Sequence, residues 1–415
     1  MKKIVALPQP QVNIFKKPIF IKQKKREVFM RKSILLFSAS IGVAILYITS
    51  CQKHDATPPC GGPKDITVTT MKVFATGLNS PRGLKFGPDG NLYVAEAGLG
   101  GTNSTVGVCE QVTFPVGPYL GSTTSGRVSK IDRNGVRTTV TDQLPSSVDQ
   151  EIVGGDFQGV ADVAFVGNKL YALLAGAGCS HGVPSIPNGI VKIEPNGSWS
   201  LVTNLSEYTM THPVAHPEPH GGAEPDGTPY GMINVNGDLY LTEPNQGDIV
   251  KVTIPGGVAS RVVDVSVTQG HIVPTVIAFH EGNFYMGNLD TFPVVKGQSG
   301  IYKITPGGQV TPLTHGFTTI LGIDFDQEGR LYVLENSTVD GPGPTPNTGD
   351  IVRVDLSGKK EILISGLSQP TGMAFGPDGK LYVSNHGFGP GSTGGGQILQ
   401  LTFNCEYVAG DTHPN

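Results

Sequence analysis

PRGLKFGPDGNLYVAEAG at 81–98 and PTGMAFGPDGKLYVSNHG at 370–387 are near copies of one another, placed at opposite ends of the chain. Each reads as an apolar strand, a tight turn and a second strand that carries a tyrosine. Pro, Asp and Gly occupy the places a two-strand turn requires of them. Between these copies the unit returns four times, as GVADVAFVGNKLYALLAG (159–176), PYGMINVNGDLYLTEP (229–244), PTVIAFHEGNFYMGNL (274–289) and ILGIDFDQEGRLYVLEN (320–336). The repeated tyrosines are Tyr93, Tyr171, Tyr240, Tyr285, Tyr332 and Tyr382, spaced by 78, 69, 45, 47 and 50 residues. A third strand follows each tyrosine (GRVSKID, GIVKIEP, DIVKVTI, GIYKITP, DIVRVDL, QILQLTF), and after a Gly turn comes a fourth. Four strands in a period of ~40–50 residues are the signature of propeller blades.

The count of fourth strands closes the argument. Five follow a third strand, but the chain ends soon after QILQLTF (397–403), while KVFATGL (72–78) stands alone at the front. The sequence therefore predicts an all-β fold, a single six-bladed propeller of four-stranded blades. Strand 72–78 completes the last blade and removes the edge that it would otherwise expose. Composition agrees: 57 glycines, 32 prolines and only 15% charged residues suit a turn-rich chain with few solvated helix faces.

The front of the chain reads as an address. In MRKSILLFSASIGVAILYITSC (30–51), Arg31 and Lys32 precede an apolar run and then small residues, as in a secretory signal. Ile48-Thr49-Ser50-Cys51 resembles a bacterial lipobox, which makes Cys51 the lipidated first residue of the mature protein; Met30 is a second candidate start. The expected organisation is an export segment at 1–50, a lipidated tether at 51–70, the propeller at 71–405 and a tail at 406–415. The protein would then sit in the bacterial cell envelope as a monomer anchored to the bilayer, on the outer membrane or cell surface. Residues 1–50 hold ten of the 30 Lys/Arg and one of the 34 acids, so the remainder carries a marked negative excess and no basic stripe. Nucleic acid is excluded as a partner on that ground.

In a propeller, the turns between first and second strands lie on one face, and all of them are short here. The long connections, 97–126, 143–159, 175–189, 205–229, 337–349 and 386–396, fall on the other face, called top, where recognition is expected. Strand ends then nominate side chains for the mouth of the axial channel: Arg82, Glu96, Asp162, Tyr230, Glu243, Asn288, Glu335, Asn385 and His386, with Thr275, Asn336 and Thr371 beside them. Such a ring suits an unknown polar ligand or an envelope protein, and its oxygens suit calcium, for which Glu96, Asn288 and Asn385 are the candidate ligands. On that reading Glu96→Gln weakens metal binding with little effect on folding. The plain alternative is that these groups hydrogen-bond one another and channel water.

Other motifs carry less. His212, His216 and His220 recur every four residues, but three prolines in THPVAHPEPHGG forbid the regular helix that would align them. GPGSTGGGQ (389–397) lacks a following Lys and is a loop, and GPDG lacks the acidic ladder of a calcium loop. No G-x-S-x-G, H-E-x-x-H or C-x-x-C is present, so no catalytic residue is assigned.

With these residues in view, the chain resembles the ScyD/ScyE proteins, exported propellers associated with cyanobacterial scytonemin gene clusters. ATGLNSPRGLKFGPDGNLYVAEAG, GGAEPDGTPYG, PTVIAF with FYMGNLDTFPVVKG, and HGFTTILGIDFDQEGRLYVLE carry the resemblance, and Glu243-Pro244-Asn245 departs from it. The family supplies no catalytic residues. The leading expectation is a binding propeller. The rival is a metal-dependent hydrolase or lactonase similar to the gluconolactonase propellers, and a quinone-dependent sugar dehydrogenase is disfavoured for want of a basic or His cluster. Finally, the blade layout puts Cys109 and Cys179 on top, and Cys60 and Cys405 at the bottom of the last blade. It thereby predicts the disulfides Cys109–Cys179 and Cys60–Cys405.

Overall fold

The computed structural model describes residues 66–113, 116–149, 155–217, 224–355 and 358–405. Six antiparallel sheets stand in a ring, and their inner strands are Pro81–Phe86, Val160–Val166, Met232–Val235, Pro274–His280, Ile320–Phe325 and Gly372–Phe375. These define blades 1 to 6. Five sheets have four strands, and blade 1 adds the two-residue strand Phe157–Gln158.

Ring closure is as the strand count requires. Ile66–Asn79 pairs antiparallel with Thr393–Cys405, and the last blade runs from this N-terminal strand inward to Gly372–Phe375. The strand is longer than KVFATGL and takes in part of the expected tether, because the alternating Thr-Val-Thr-Thr run can continue the ladder as far as Ile66 opposite Cys405. Ala75 and Leu78 are buried and share a core with Leu84, Leu92 and Val94 of blade 1. Chain ends and chain start are thus fastened through one apolar contact.

The core is divided among the six interfaces between neighbouring blades. Val160, Val163 and Leu174 of blade 2 meet Ala95, Val128 and Leu144 of blade 1, for example, and Val276 and Ile301 of blade 4 meet Ile323 and Val333 of blade 5. The repeated tyrosines have their explanation here. Tyr93, Tyr285, Tyr332 and Tyr382 each meet a phenylalanine on the inner strand of the next blade (Phe165, Phe325, Phe375 and Phe86), edge to face at about 5 Å between ring centroids. In four blades the tyrosine is therefore the joint that turns one blade onto the next, while Tyr240 meets Phe284 on the second strand of blade 4 at 4.8 Å and Tyr171 lies in the apolar interface with blade 3.

Two connections differ from the loops expected of them. Tyr119–Ile131 and Arg137–Asp149 continue past the blade as a hairpin extension, with Tyr119 opposite Asp149 and Gly121 opposite Ser147, where open loops are expected at 97–126 and 143–159. The 205–229 connection opens with a short helix, Leu205–Thr211, which Asn204 caps by accepting from the Glu207 amide at 3.0 Å.

Candidate functional site

A cavity of about 540 Å³ opens on the top face over the ring axis. Five blades reach it: Arg82 and Gln158 from blade 1, Tyr230 from blade 3, Thr275 from blade 4, Leu321 from blade 5 and Thr371 from blade 6, while Glu224 and Thr228 come from the connection between blades 2 and 3. Its floor is a side chain. The Tyr230 hydroxyl donates to the Thr371 carbonyl at 3.0 Å, and Tyr230, Leu321 and Thr371 also line a second, much smaller void below. Val116, Leu289, Phe292, Pro344 and Phe388 give the upper wall an apolar character.

The polar wall is a buried network. Arg82 is nearly inaccessible and donates to the carbonyls of Gly387 and Phe157, while Asp156 lies 3.9 Å from its guanidinium. Asp156 accepts from the Tyr119 hydroxyl at 2.7 Å. Burial pushes the Asp156 carboxyl upward, against the opposing pull of Arg82 and Tyr119, and burial raises Tyr119 well above its ordinary value. Tyr119 in turn lies over the ring of His181, with centroids 4.8 Å apart. His181 Nε2 is 3.4 Å from Glu224 Oε2, and Glu224, on the cavity wall, also accepts from the Thr228 hydroxyl.

A disulfide fixes one side of this wall. Cys109 and Cys179 are joined, with Cα atoms 6.3 Å apart, as the top-face placement of both predicts. Cys179 begins the single helical turn that ends at His181, and the Thr105 hydroxyl donates to its carbonyl at 2.5 Å. The second expected pairing involves Cys60, which lies outside the described residues, as does Cys51.

No protein-family model matches this chain, and no curated protein matches it. Solved structures do share its course. The PQQ-bound aldose sugar dehydrogenase from Streptomyces coelicolor superposes with a TM-score of 0.52 at 16% identity, over 83% of this chain and 100% of that one. A Thermus thermophilus protein assigned as an oxidoreductase (glucose dehydrogenase) does so at 0.51 and 19%, over 80% of this chain and 99% of that one. The likeness is one of fold.

Of the residues nominated for the mouth, the structure brings Arg82 and Tyr230 to the cavity, together with Thr275, Asn336 and Thr371. Most of the others are placed elsewhere, and the reason recurs from blade to blade. Each ends a second strand and latches the segment that leads into its own blade. Glu96 accepts from the Asn79 amide at 2.6 Å, Glu243 from Thr228 at 2.9 Å, Glu335 from Thr318 at 2.6 Å and Asn385 from Ser368 at 3.0 Å. Asn288 donates to the Ile272 carbonyl at 2.8 Å and accepts from Gly300 at 2.7 Å. His386 fixes the same kind of junction through its backbone amide, which donates to Ser368, and is not among the residues lining the cavity. Asp162 lines the small lower void and accepts from Val163 and from Met232 of the next blade.

The expected calcium ligands Glu96, Asn288 and Asn385 stand in three separate blades, each held by these local bonds. Glu96 is further committed to Arg127, at 2.5 Å, and to the Ser129 hydroxyl. Among the described residues no group of three or more His, Cys, Asp or Glu is arranged to hold a metal ion.

Asp156, His181 and Glu224 are the residues that strand-end counting misses. They sit inside long top-face connections, where spacing says nothing about which side chain turns inward. The available signal was the length of 143–159, 175–189 and 205–229, and the segment GGAEPDGTPYG, which contains Glu224.

Proposed function

We propose that this protein is a binding propeller that takes a small, largely apolar ligand into the top-face cavity. The observation that supports this most directly is the cavity itself: about 540 Å³, lined from five blades and from the connection between blades 2 and 3, apolar above and closed below by Tyr230 on Thr371. That size falls within the ~300–1,000 Å³ of small-molecule sites, which combine apolar walls with a few placed polar groups. The polar groups here are Asp156, Glu224 and Asp290, with His271 at the rim. The resemblance to the ScyD/ScyE proteins is compatible with an exported binding protein and adds no chemistry to it.

Soaking crystals with a library of small aryl and alkyl compounds tests the reading. Density above the Tyr230 ring, between Phe292 and Phe388, is the expected result. Ligands found only on the outer surface or between blades contradict it.

The same proposal places the propeller at the cell envelope, held by a lipid on Cys51. Cys51→Ala should release the protein from membranes or block its processing. A mutant that matures and fractionates like the wild type overturns the anchor.

A further inference from the structure

The cavity wall presents a buried carboxylate at the end of a chain of polar contacts, and it points to the charge of the occupant. Ser180 Oγ donates to Asp226 Oδ2 at 2.6 Å, and the Ser180 amide donates to the same oxygen at 2.7 Å. The hydroxyl proton is thereby committed, so Ser180 Oγ accepts from His181 Nδ1, 3.2 Å away, and Nδ1 carries a hydrogen. His181 is fully buried, and its Nε2 has no hydrogen-bond partner, although Glu224 Oε2 is only 3.4 Å off. Glu224 is the member of this chain that meets the cavity, since His181 is not among the lining residues.

Glu224 is itself more than nine-tenths buried and lines the cavity. Both of its side-chain contacts among the described residues, with His181 and with Thr228, fall on Oε2, and Oε1 accepts no hydrogen bond from them. Arg82 is the one Lys or Arg among the lining residues, and its guanidinium already serves two carbonyls beside Asp156. Among the described lining residues no further Lys or Arg is left to greet an anionic ligand. Tyr230, Phe292 and Phe388 line the same space, and aromatic surroundings favour an ammonium group.

Resting on the cavity reading above, we infer that the occupant is an organic cation: a protonated amine on an apolar body, docked with its ammonium group against Glu224. The titratable groups facing the pair are Tyr119, Asp156, Asp226 and Glu243, together with Arg82 across Asp156.

The test is calorimetric titration of the full protein at pH 7 with benzylammonium, benzyl alcohol and benzoate. The expected result is binding of benzylammonium at least tenfold tighter than benzyl alcohol and no binding of benzoate. Glu224→Gln should remove the preference for the cation over the alcohol, and the matched series on the wild-type protein carries the test even where that variant fails to fold. Benzyl alcohol or benzoate binding as tightly as the amine overturns the cation assignment and leaves the cavity reading intact. Failure of all three compounds overturns the assignment, while the crystal soaks decide the cavity reading separately.

Discussion

The Tyr230 hydroxyl and the Thr371 carbonyl, 3.0 Å apart, join blades 3 and 6, which stand opposite one another in a ring of six. A single side chain thus spans the axis. Thr371 is held from two further sides, since its own hydroxyl donates to the Pro81 carbonyl at 2.6 Å and its amide to Ser384. The crossing is therefore anchored to both neighbours of the closure between the chain ends, and it separates the cavity from the channel beneath.

Tyr230→Phe keeps the ring and removes the bond. It should lower stability by about 1–2 kcal/mol, the cost of leaving a buried carbonyl unpaired. Denaturant unfolding of wild type and variant measures this, and an unchanged midpoint would mean that water replaces the phenol.

Glu96→Gln should destabilise the fold by about 2–3 kcal/mol, since it strips one partner from a buried ion pair whose other member, Arg127, is nearly as enclosed. Thermal unfolding checks it. This reverses what strand-end counting suggests, that the substitution spares folding and removes a ligand. A variant with wild-type stability that had lost calcium binding would restore the ligand reading.

The contrast between these two residues shows what could be read from sequence. Tyr93 and its five counterparts repeat because each packs at the interface with the next blade, four of them edge to face on a phenylalanine, so the fold and its closure were legible. Glu96 and its counterparts repeat for a similar reason, as latches. Repetition marks architecture, and a ring of polar strand ends is architecture before it is a site. Glu224 and the His181 behind it occur once each, in connections of irregular length, where no repeat marks them, and only the folded chain shows that Glu224 lines the cavity.

Glu243 predicts a pH dependence. Burial, outweighing the hydrogen bond from Thr228, raises its carboxyl from an ordinary 4.5 to about 8, and Glu335 is raised to about 7 by the same cause. The folded state therefore binds these protons more tightly than the unfolded chain. The associated stability is complete below the unfolded value and is lost as pH rises through 7 and 8. The melting temperature should fall between pH 5 and 8, and Glu243→Gln, which mimics the protonated form, should flatten that fall and exceed wild type above pH 8. Parallel melting curves for the two proteins across this range would contradict the assignment.

The central claim is that the cavity above Tyr230 is where a ligand binds, and filling it is the most direct test. Leu289 lines the cavity and is only partly buried, so Leu289→Trp should occupy the space without disturbing a blade. The measurement is the dissociation constant, by calorimetry, of one compound that binds the wild-type protein, repeated on this variant. The account predicts affinity at least tenfold weaker with an unchanged melting temperature. Equal affinity in the two proteins would place the ligand elsewhere and contradict it.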